Sequence, residues 1–214
     1  MRRLLFTLPL VAVALVPAAG QDVPAALPLF NGTDLTGWQT SAGQPVTKGW
    51  TVKDGAMTCE KGGDVWTKGR YGDFVLELEY KTAGNSGVFI RTDNAKDNVQ
   101  TGIEVQVDVP AAKTSKHSVG AIYDLVAPTA QNAKANDWNA LRITARGASL
   151  KVESNGAVVA EMDLDRWTEG GKNPDGTPNK FKTALKDFKR QGHIGFQDHG
   201  AVVSYRNVRL REVK

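Results

Sequence analysis

The chain has 214 residues, of which 41% are hydrophobic and 23% charged, and its formal net charge is +4 at pH 7. If Arg2 and Arg3 leave with an export signal, the charge falls from +4 to about +2, a balance that does not favour nucleic acid as a partner. The single cysteine, Cys59, excludes an internal disulfide, so packing must stabilise the fold. The length suits one domain with a sizeable core.

The start of the chain predicts an export signal. Arg2 and Arg3 precede an apolar run over residues 4–16, and a small-residue segment follows up to Gly20. This order is typical of a secretory signal peptide, so we expect a signal over 1–20, one domain over 21–214, and a periplasmic or extracellular protein. The apolar run is too short for a convincing membrane span, and we expect no such span.

Apolar and polar residues alternate with a period of two along the remainder of the chain, which predicts an all-β sandwich. A hairpin is expected at Asn155-Gly156, because this dipeptide is the strongest short hairpin signal. Residues 166–191 lack the alternation and predict a long loop, either a functional rim or a solvated surface excursion. The predicted strands occupy 73–82, 86–92, 102–109, 119–126, 138–147, 149–164 and two segments within 192–213.

Three acceptor-rich side chains share one face of the predicted strand 102–109. Glu104, Gln106 and Asp108 alternate with apolar residues, and strand geometry places the first two about 6.6 Å apart at Cα. Sandwich enzymes that cleave sugars use such a stripe, because hydroxyl groups need acceptors and two carboxyl groups can share acid and base roles. A solvated strand face has the same pattern, so the stripe indicates either a wet surface or the floor of an active site.

Two further polar groups are candidates for the same site. Gln197 and His199 lie between two glycines and share a face if that segment is extended, and an imidazole suits proton transfer or metal binding. Arg91 ends a predicted strand, where it could pair with a carboxylate of the next strand or polarise a substrate oxygen. No metal-binding motif occurs, but a divalent cation could assemble on Glu104, Asp108 and His199, so its need and identity stay open.

The aromatic candidates are less specific. Tyr123 and Trp138 could each stack on a sugar ring, although single aromatic residues of a sandwich also pack in its core. Asn85, Ser86 and Gly87 form a predicted hydrogen-bonding turn, which we interpret as structural.

Several segments together resemble one family, the secreted 3-keto-disaccharide hydrolases. The resemblance extends from Leu29 to about Val213 and implies a concanavalin-like jelly-roll β-sandwich, bacterial export and a function in carbohydrate breakdown. It also implies a functional link to a sugar 3-oxidoreductase, which first makes the 3-keto sugar. The segments that carry the resemblance are LFNGTDLTGW, NSGVFIRT, GIEVQVD, GFQDHG and YRNVRL.

The resemblance implies cleavage of glycosides whose C3 hydroxyl has become a ketone, by hydrolysis or by elimination after removal of the C2 proton. A metal ion or Arg91 would stabilise the enolate. A non-catalytic carbohydrate-binding module and a glycosidase acting on unoxidised glucan stay as alternatives. The expected catalytic residues are Glu104, His199 and Asp108, and the expected substrate-binding residues are Arg91, Gln106, Gln197, Tyr123 and Trp138.

Overall fold

The computed structural model describes residues 25–213, and the predicted signal peptide over 1–20 lies outside the described residues. Within them, two antiparallel sheets pack face to face, which confirms the predicted all-β sandwich. None of the helices in this part of the chain is long and apolar enough to cross a membrane.

The strands are short apart from three long ones, and in the described residues one α-helical turn and three 3-10 turns, over Ala95–Asp97, Leu164–Arg166 and Leu185–Asp187, interrupt them. In chain order they are β1 (Leu27–Pro28), β2 (Trp38–Thr40), β3 (Trp50–Lys53), β4 (Ala56–Cys59), β5 (Val65–Thr67), β6 (Phe74–Thr82), β7 (Ser86–Thr92), α1 (Asn98–Thr101), β8 (Ile103–Val107), β9 (Asn139–Arg146), β10 (Ser149–Ser154), β11 (Ala157–Asp163), β12 (His193–Phe196) and β13 (Val203–Glu212).

Within 25–213 the larger sheet has eight strands and the smaller has five. The larger follows the order β11-β10-β9-β6-β13-β4-β3, with β1 paired to β13, and the smaller follows β2-β5-β12-β7-β8. The hairpin predicted at Asn155-Gly156 joins β10 to β11, and both residues have positive φ, +46° and +84°. These values match the left-handed turn that a two-residue hairpin requires, so this prediction is confirmed.

Aromatic side chains fill the space between the two sheets. Phe196 of the smaller sheet stacks on Tyr205 of the larger, with ring centroids 3.9 Å apart. Trp38 stacks on the same phenylalanine at 4.9 Å, and Trp50 stacks on Tyr205 at 6.3 Å. All four residues are buried and they lie on strands of both sheets, so together they form one core between the sheets.

The smaller sheet is covered on its outer face as well. Every residue of β7 and β8 is buried, including the polar Glu104 and Gln106. On the same face Trp66 lies against Gly195 and Phe89, and both aromatic rings are fully buried. The long loop predicted over 166–191 is confirmed, and it reaches this face through Lys180, whose side chain contacts Glu104.

The strand predicted over 119–126 is wrong in part, because Gly120 and Asp124 have positive φ and break the extended backbone into turns. The segment still pairs with the edge of β8, where Gln106 N donates to Ala121 O at 3.0 Å and Tyr123 N donates to Glu104 O at 2.9 Å. This pairing places the Tyr123 ring beside the polar side chains of β8.

Candidate active site

An open pocket of about 230 Å³ lies on the outer face of the smaller sheet. Its floor includes the carboxylate of Glu104, a residue that is only 4% exposed. The lining combines an acid, a cation, an imidazole, two amides, a phenol and one apolar side chain: Glu104, Lys180, His199, Asn85, Gln197, Tyr123 and Val99.

Three neighbouring residues, joined by pairing between adjacent segments of the smaller sheet, form the base of this pocket. Gly87 of β7 pairs with Gln106 of β8 on one side, and on the other side the backbone N–H of Gln197 donates to Gly87 O at 2.9 Å. Because Gly87 has no side chain, the Glu104 side chain occupies the space above it. A Cβ at Gly87 would lie 2.9 Å from Glu104 Cγ and closer still to Oε1. The glycine therefore allows the carboxylate to lie flat on the sheet.

The Glu104 carboxylate has a cationic partner inside the pocket. Lys180 Nζ lies 3.4 Å from Glu104 Oε2 and 4.3 Å from the centroid of the Tyr123 ring. Burial raises the pKa of Glu104 above its ordinary value, and the lysine opposes this rise. Burial, together with the negative charges of Glu104 and Asp124, raises the pKa of Tyr123, so its hydroxyl stays protonated at neutral pH.

Backbone hydrogen bonds hold Lys180 at this position. The side-chain amide of Gln100 in α1 donates to Lys180 O at 2.9 Å and accepts from Lys182 N at 2.9 Å. The Lys180 N–H also donates to Asp124 Oδ2 at 2.6 Å. The loop is thus fixed from two directions, which orders the lysine beside the base of the pocket.

Two aspartates fix the segment that carries His199. Asp198 accepts hydrogen bonds from Gly63 N and Gly200 N, both at 2.9 Å. Burial would raise the pKa of Asp198, but these hydrogen bonds outweigh it and the pKa lies below its ordinary value. Asp64 in turn accepts from Asp198 N at 2.9 Å. The loop after β12 is therefore held against the loop before β5.

His199 is exposed at the rim of the pocket. Its imidazole lies near enough to the carboxylates of Glu104 and Asp64 for a positive charge on the ring to lower the pKa of both. Burial is the larger effect on Asp64 and raises its pKa. A buried carboxylate with a cation at one side and an imidazole at the rim can exchange protons with a ligand bound between them.

The sequence model of one family, described as a 3-keto-alpha-glucoside-1,2-lyase-like domain, matches residues 25–211. The chain belongs to this family. A 3-keto-disaccharide hydrolase of Bacteroides thetaiotaomicron is 25% identical over 229 residues, covering 89% of this chain and 79% of that protein.

Solved structures agree with the family in fold. A Parabacteroides distasonis ATCC 8503 protein, described as a candidate glycosyl hydrolase, is 29% identical with a TM-score of 0.80, over 88% of this chain and 100% of that one. A Bacillus subtilis protein with a galectin-like fold is 13% identical with a TM-score of 0.53, over 89% and 97% of the two chains. The second likeness concerns the fold alone. The predicted concanavalin-like jelly roll is confirmed, and family membership supports a carbohydrate-active, glycoside-acting enzyme.

In this member of the 3-keto-alpha-glucoside-1,2-lyase-like family, the pocket brings together four of the residues expected from the sequence. Glu104, His199, Gln197 and Tyr123 all line it. Gln106 is 1% exposed and lies beneath the rim, where its amide contacts Asn85.

Arg91 does not lie beside the pocket, which corrects the expectation from strand alternation. It has a left-handed backbone, with φ at +49°, where the pairing of β7 with β12 shifts register. Its guanidinium is 1% exposed and donates to the backbone oxygens of Gly72 and Gly147 and to Asp73 Oδ1 at 2.8 Å. Burial lowers the pKa of Arg91, and the aspartate opposes that effect. The residue stabilises the fold at a distance from the carboxylate of Glu104.

Asp108 and Trp138 are also placed elsewhere. β8 ends at Val107, and the Asp108 carboxylate accepts from Val109 N at 2.7 Å outside the pocket lining. Trp138 lies over the larger sheet, with the Arg206 guanidinium 3.9 Å from its ring centroid. Asp108 is displaced because β8 ends before it, and Trp138 because its loop covers the larger sheet. The alternation of apolar and polar residues specifies neither feature.

The expected metal ligands do not form a site. Among residues 25–213, no group of three or more His, Cys, Asp and Glu side chains is arranged to hold a metal ion. With Asp108 outside the pocket, Glu104 and His199 lack the third ligand that the sequence suggested.

The pocket also contains residues that the sequence analysis did not select. Lys180 lies in an irregular loop, and no local pattern connects it to β8. Asp64, which lies near the pocket but not in its lining, follows two glycines without a recognisable motif. Asn85 was interpreted as part of a structural turn, yet its side chain lines the pocket. The only available signal was the family segment NSGVFIRT, which begins at Asn85.

Proposed function

We propose that this pocket cleaves the glycosidic bond of 3-keto-glycosides, with Glu104 as the base that removes the C2 proton. The observation that carries the proposal is the buried Glu104 carboxylate, ion-paired with Lys180 on the floor of a pocket with His199 at its rim. The family description and the name of the Bacteroides relative support the 3-keto substrate.

The environment of Glu104 suits a carboxylate base. Its pKa is raised by burial, so the ionised form binds a proton more strongly than an exposed carboxylate does. Lys180 opposes the rise and so favours the ionised form of the carboxylate. A base is most effective when its pKa approaches the working pH, and the neighbouring ketone makes the C2 proton removable.

Lys180 and His199 can stabilise the charges that develop after Glu104 removes the C2 proton. When Glu104 takes the C2 proton, the electron pair moves to O3 and forms an enolate, whose charge the Lys180 ammonium stabilises. The enolate then expels the C1 substituent, and His199 in its protonated form donates a proton to the leaving oxygen. Elimination gives a sugar with a C1=C2 double bond. Addition of water across that bond completes hydrolysis, whereas a lyase releases the unsaturated product.

The size of the pocket favours a small substrate. Its volume, about 230 Å³, lies below the roughly 300–1,000 Å³ that is typical of pockets for drug-sized ligands. One sugar ring would therefore be enclosed, and the leaving group would extend past His199 towards solvent. Because a 3-keto sugar must first be made by oxidation at C3, we place the enzyme after a sugar 3-oxidoreductase. The signal-like sequence over 1–20 supports a periplasmic or extracellular site for both steps.

A glycosidase acting on unoxidised glucan would need a second free carboxyl group, about 5–9.5 Å from the first. Asp64 lies near enough to contribute to the raised pKa of Glu104, but both of its oxygens are engaged. They accept from Asp198 N at 2.9 Å and from the Asn98 amide at 3.0 Å. Glu104 is therefore the carboxylate that faces the pocket, which supports the 3-keto substrate.

The experiment compares aglycone release from a 3-keto-glucoside and from its unoxidised parent. The wild-type protein is expected to release aglycone from the keto sugar alone, and Glu104→Gln should lower the rate by about 10²–10⁴-fold, the usual contribution of a general base. Glu161→Gln, at an exposed carboxylate of β11, is the matched control and should retain full activity. Equal release from the parent sugar would refute the 3-keto substrate. A folded protein that binds the keto sugar and releases aglycone from neither would instead be a carbohydrate-binding module.

A further inference from the structure

We propose that Asn85 is a further catalytic residue, whose side-chain N–H donates to O3 of the enolate, and that Gln106 is the positioning residue that orients it. The inference rests on the proposed function, because it assigns a donor to the intermediate of that reaction.

The two amides form one hydrogen-bonded pair with a defined direction. Gln106 Nε2 donates to Asn85 Oδ1 at 3.0 Å. Gln106 is 1% exposed, whereas Asn85 is half-buried and lines the pocket. Since the Asn85 carbonyl oxygen already accepts from the buried glutamine, the Nδ2 hydrogens of Asn85 are left to face the pocket.

The two possible orientations of the amide pair differ in which buried atom of Gln106 is left without a hydrogen-bond partner, and this difference favours the observed orientation. As oriented, Gln106 Oε1 is buried without a hydrogen-bond partner among the described residues. Reversal of both amides would instead bury N–H groups of Gln106 without an acceptor. Buried unpaired N–H groups are rarer in proteins than under-satisfied carbonyl oxygens. The observed arrangement therefore presents the donor side of Asn85 to the ligand.

The backbone of Gln106 cannot follow a rotating Asn85. Its N–H donates to Ala121 O at 3.0 Å, and its carbonyl accepts from Gly120 N at 2.9 Å, while its other edge pairs with Gly87. The glutamine is thus a fixed support beneath a pocket residue. A pair of this kind orients its outer member before substrate binds, which is the requirement for an effective oxyanion donor.

The position of Asn85 suits the charge that develops during the reaction. It immediately precedes β7 and contacts Gln106, the residue paired with Gly87, and the Glu104 carboxylate lies over that glycine. A sugar ring with C2 at the carboxylate would direct its C3 carbonyl along the strand towards Asn85. Lys180 is shared with Glu104, so a neutral N–H donor directed at O3 supplies a hydrogen bond that becomes stronger as negative charge develops on the enolate oxygen.

The test measures enolate formation apart from bond cleavage. A 3-keto sugar with a free anomeric centre, such as 3-keto-glucose, is incubated in D₂O, and exchange of the C2 hydrogen is followed by NMR. We expect Asn85→Ala to lower the exchange rate about 10²–10³-fold, as removal of one oxyanion donor does. Gln106→Met should lower kcat for cleavage in the same direction while KM changes less than twofold. Gln44→Met, the same change at an exposed glutamine, is the control.

The double variant Asn85→Ala with Gln106→Met separates positioning from general damage to the fold. If Gln106 acts through Asn85, the double variant exchanges no more slowly than Asn85→Ala alone. Wild-type exchange that persists in Asn85→Ala would overturn the inference and leave the proposed function standing. Additive losses in the double variant would overturn the positioning role. A wild-type protein that catalyses no exchange above the uncatalysed rate would overturn the proposed function, and this inference with it.

Discussion

Replacement of Gly87 by alanine tests how the catalytic carboxylate is held. The added Cβ would lie 2.9 Å from Glu104 Cγ and 3.0 Å from Cδ. Non-bonded carbon atoms rest about 3.5–4.0 Å apart, so the carboxylate must retreat by roughly 0.5–1 Å. Glu104 has little room for this movement, because it is 4% exposed and paired with Lys180.

This movement of the Glu104 carboxylate should lower both the rate of cleavage and the free energy of unfolding. A misplacement of about 1 Å in a catalytic group costs up to 10²-fold in rate, and overpacking of a buried site costs about 1–3 kcal/mol. Gly87→Ala should therefore lower kcat/KM for the 3-keto-glucoside by about 100-fold. Its free energy of unfolding, measured by urea denaturation, should fall by about 1–3 kcal/mol.

A matched glycine and a double variant complete this test. A Cβ at Gly72 would meet Arg190 O at 3.6 Å, an ordinary contact, so Gly72→Ala should change stability by less than about 1 kcal/mol and leave the rate unchanged. Combined with Glu104→Ala, Gly87→Ala should no longer destabilise the protein, because the colliding carboxylate is gone. If Gly87→Ala retains the wild-type rate, or destabilises the Glu104→Ala protein equally, the proposed role of Gly87 in placing the carboxylate is refuted.

Four further predictions follow from individual side chains. Lys180→Met should move the acidic limb of the kcat/KM–pH profile to higher pH, because the pKa of Glu104 rises when the lysine no longer opposes burial and the active form is ionised; an unmoved limb would contradict the ion pair. Arg91→Met should lower the free energy of unfolding in urea by about 1–3 kcal/mol for each of the Gly72 and Gly147 carbonyl oxygens that lose their donor, with activity per folded molecule retained; lost activity in the folded variant would place Arg91 in the reaction. Burial raises the pKa of the Cys59 thiol to about 11, so the native protein should resist iodoacetamide at pH 8 and the unfolded protein should react. Trp138→Ala should change kcat/KM less than twofold, whereas a tenfold loss would extend the substrate site to the larger sheet.

The longer strands were predictable because alternate positions face a core. β6 and β9 show the buried and exposed alternation directly in their residues. The strands β1 to β5 contain two to four residues each, too few for a period to emerge. The sequence therefore predicted the sandwich and its central strands, while the short strands at the amino-terminal end depend on partners distant in sequence.

The sequence predicts site residues correctly only within strands whose apolar and polar residues alternate without a break. Glu104 and Gln106 lie within β8 and share the predicted face. Arg91 and Asp108 occupy strand ends, where a left-handed residue or the end of pairing redirects the side chain. Lys180 reaches the pocket through a loop whose path is fixed by contacts with α1, and no local pattern specifies such contacts.

The most direct test of the account is cleavage of a 3-keto-glucoside in D₂O, with the C2 position of the early products analysed by NMR. The wild-type protein should yield either a hydrated sugar with deuterium at C2 or an unsaturated C1–C2 product, and Glu104→Gln should yield neither. Cleavage by Glu104→Gln at the wild-type rate, with the original hydrogen retained at C2, would contradict the role of Glu104 as the base.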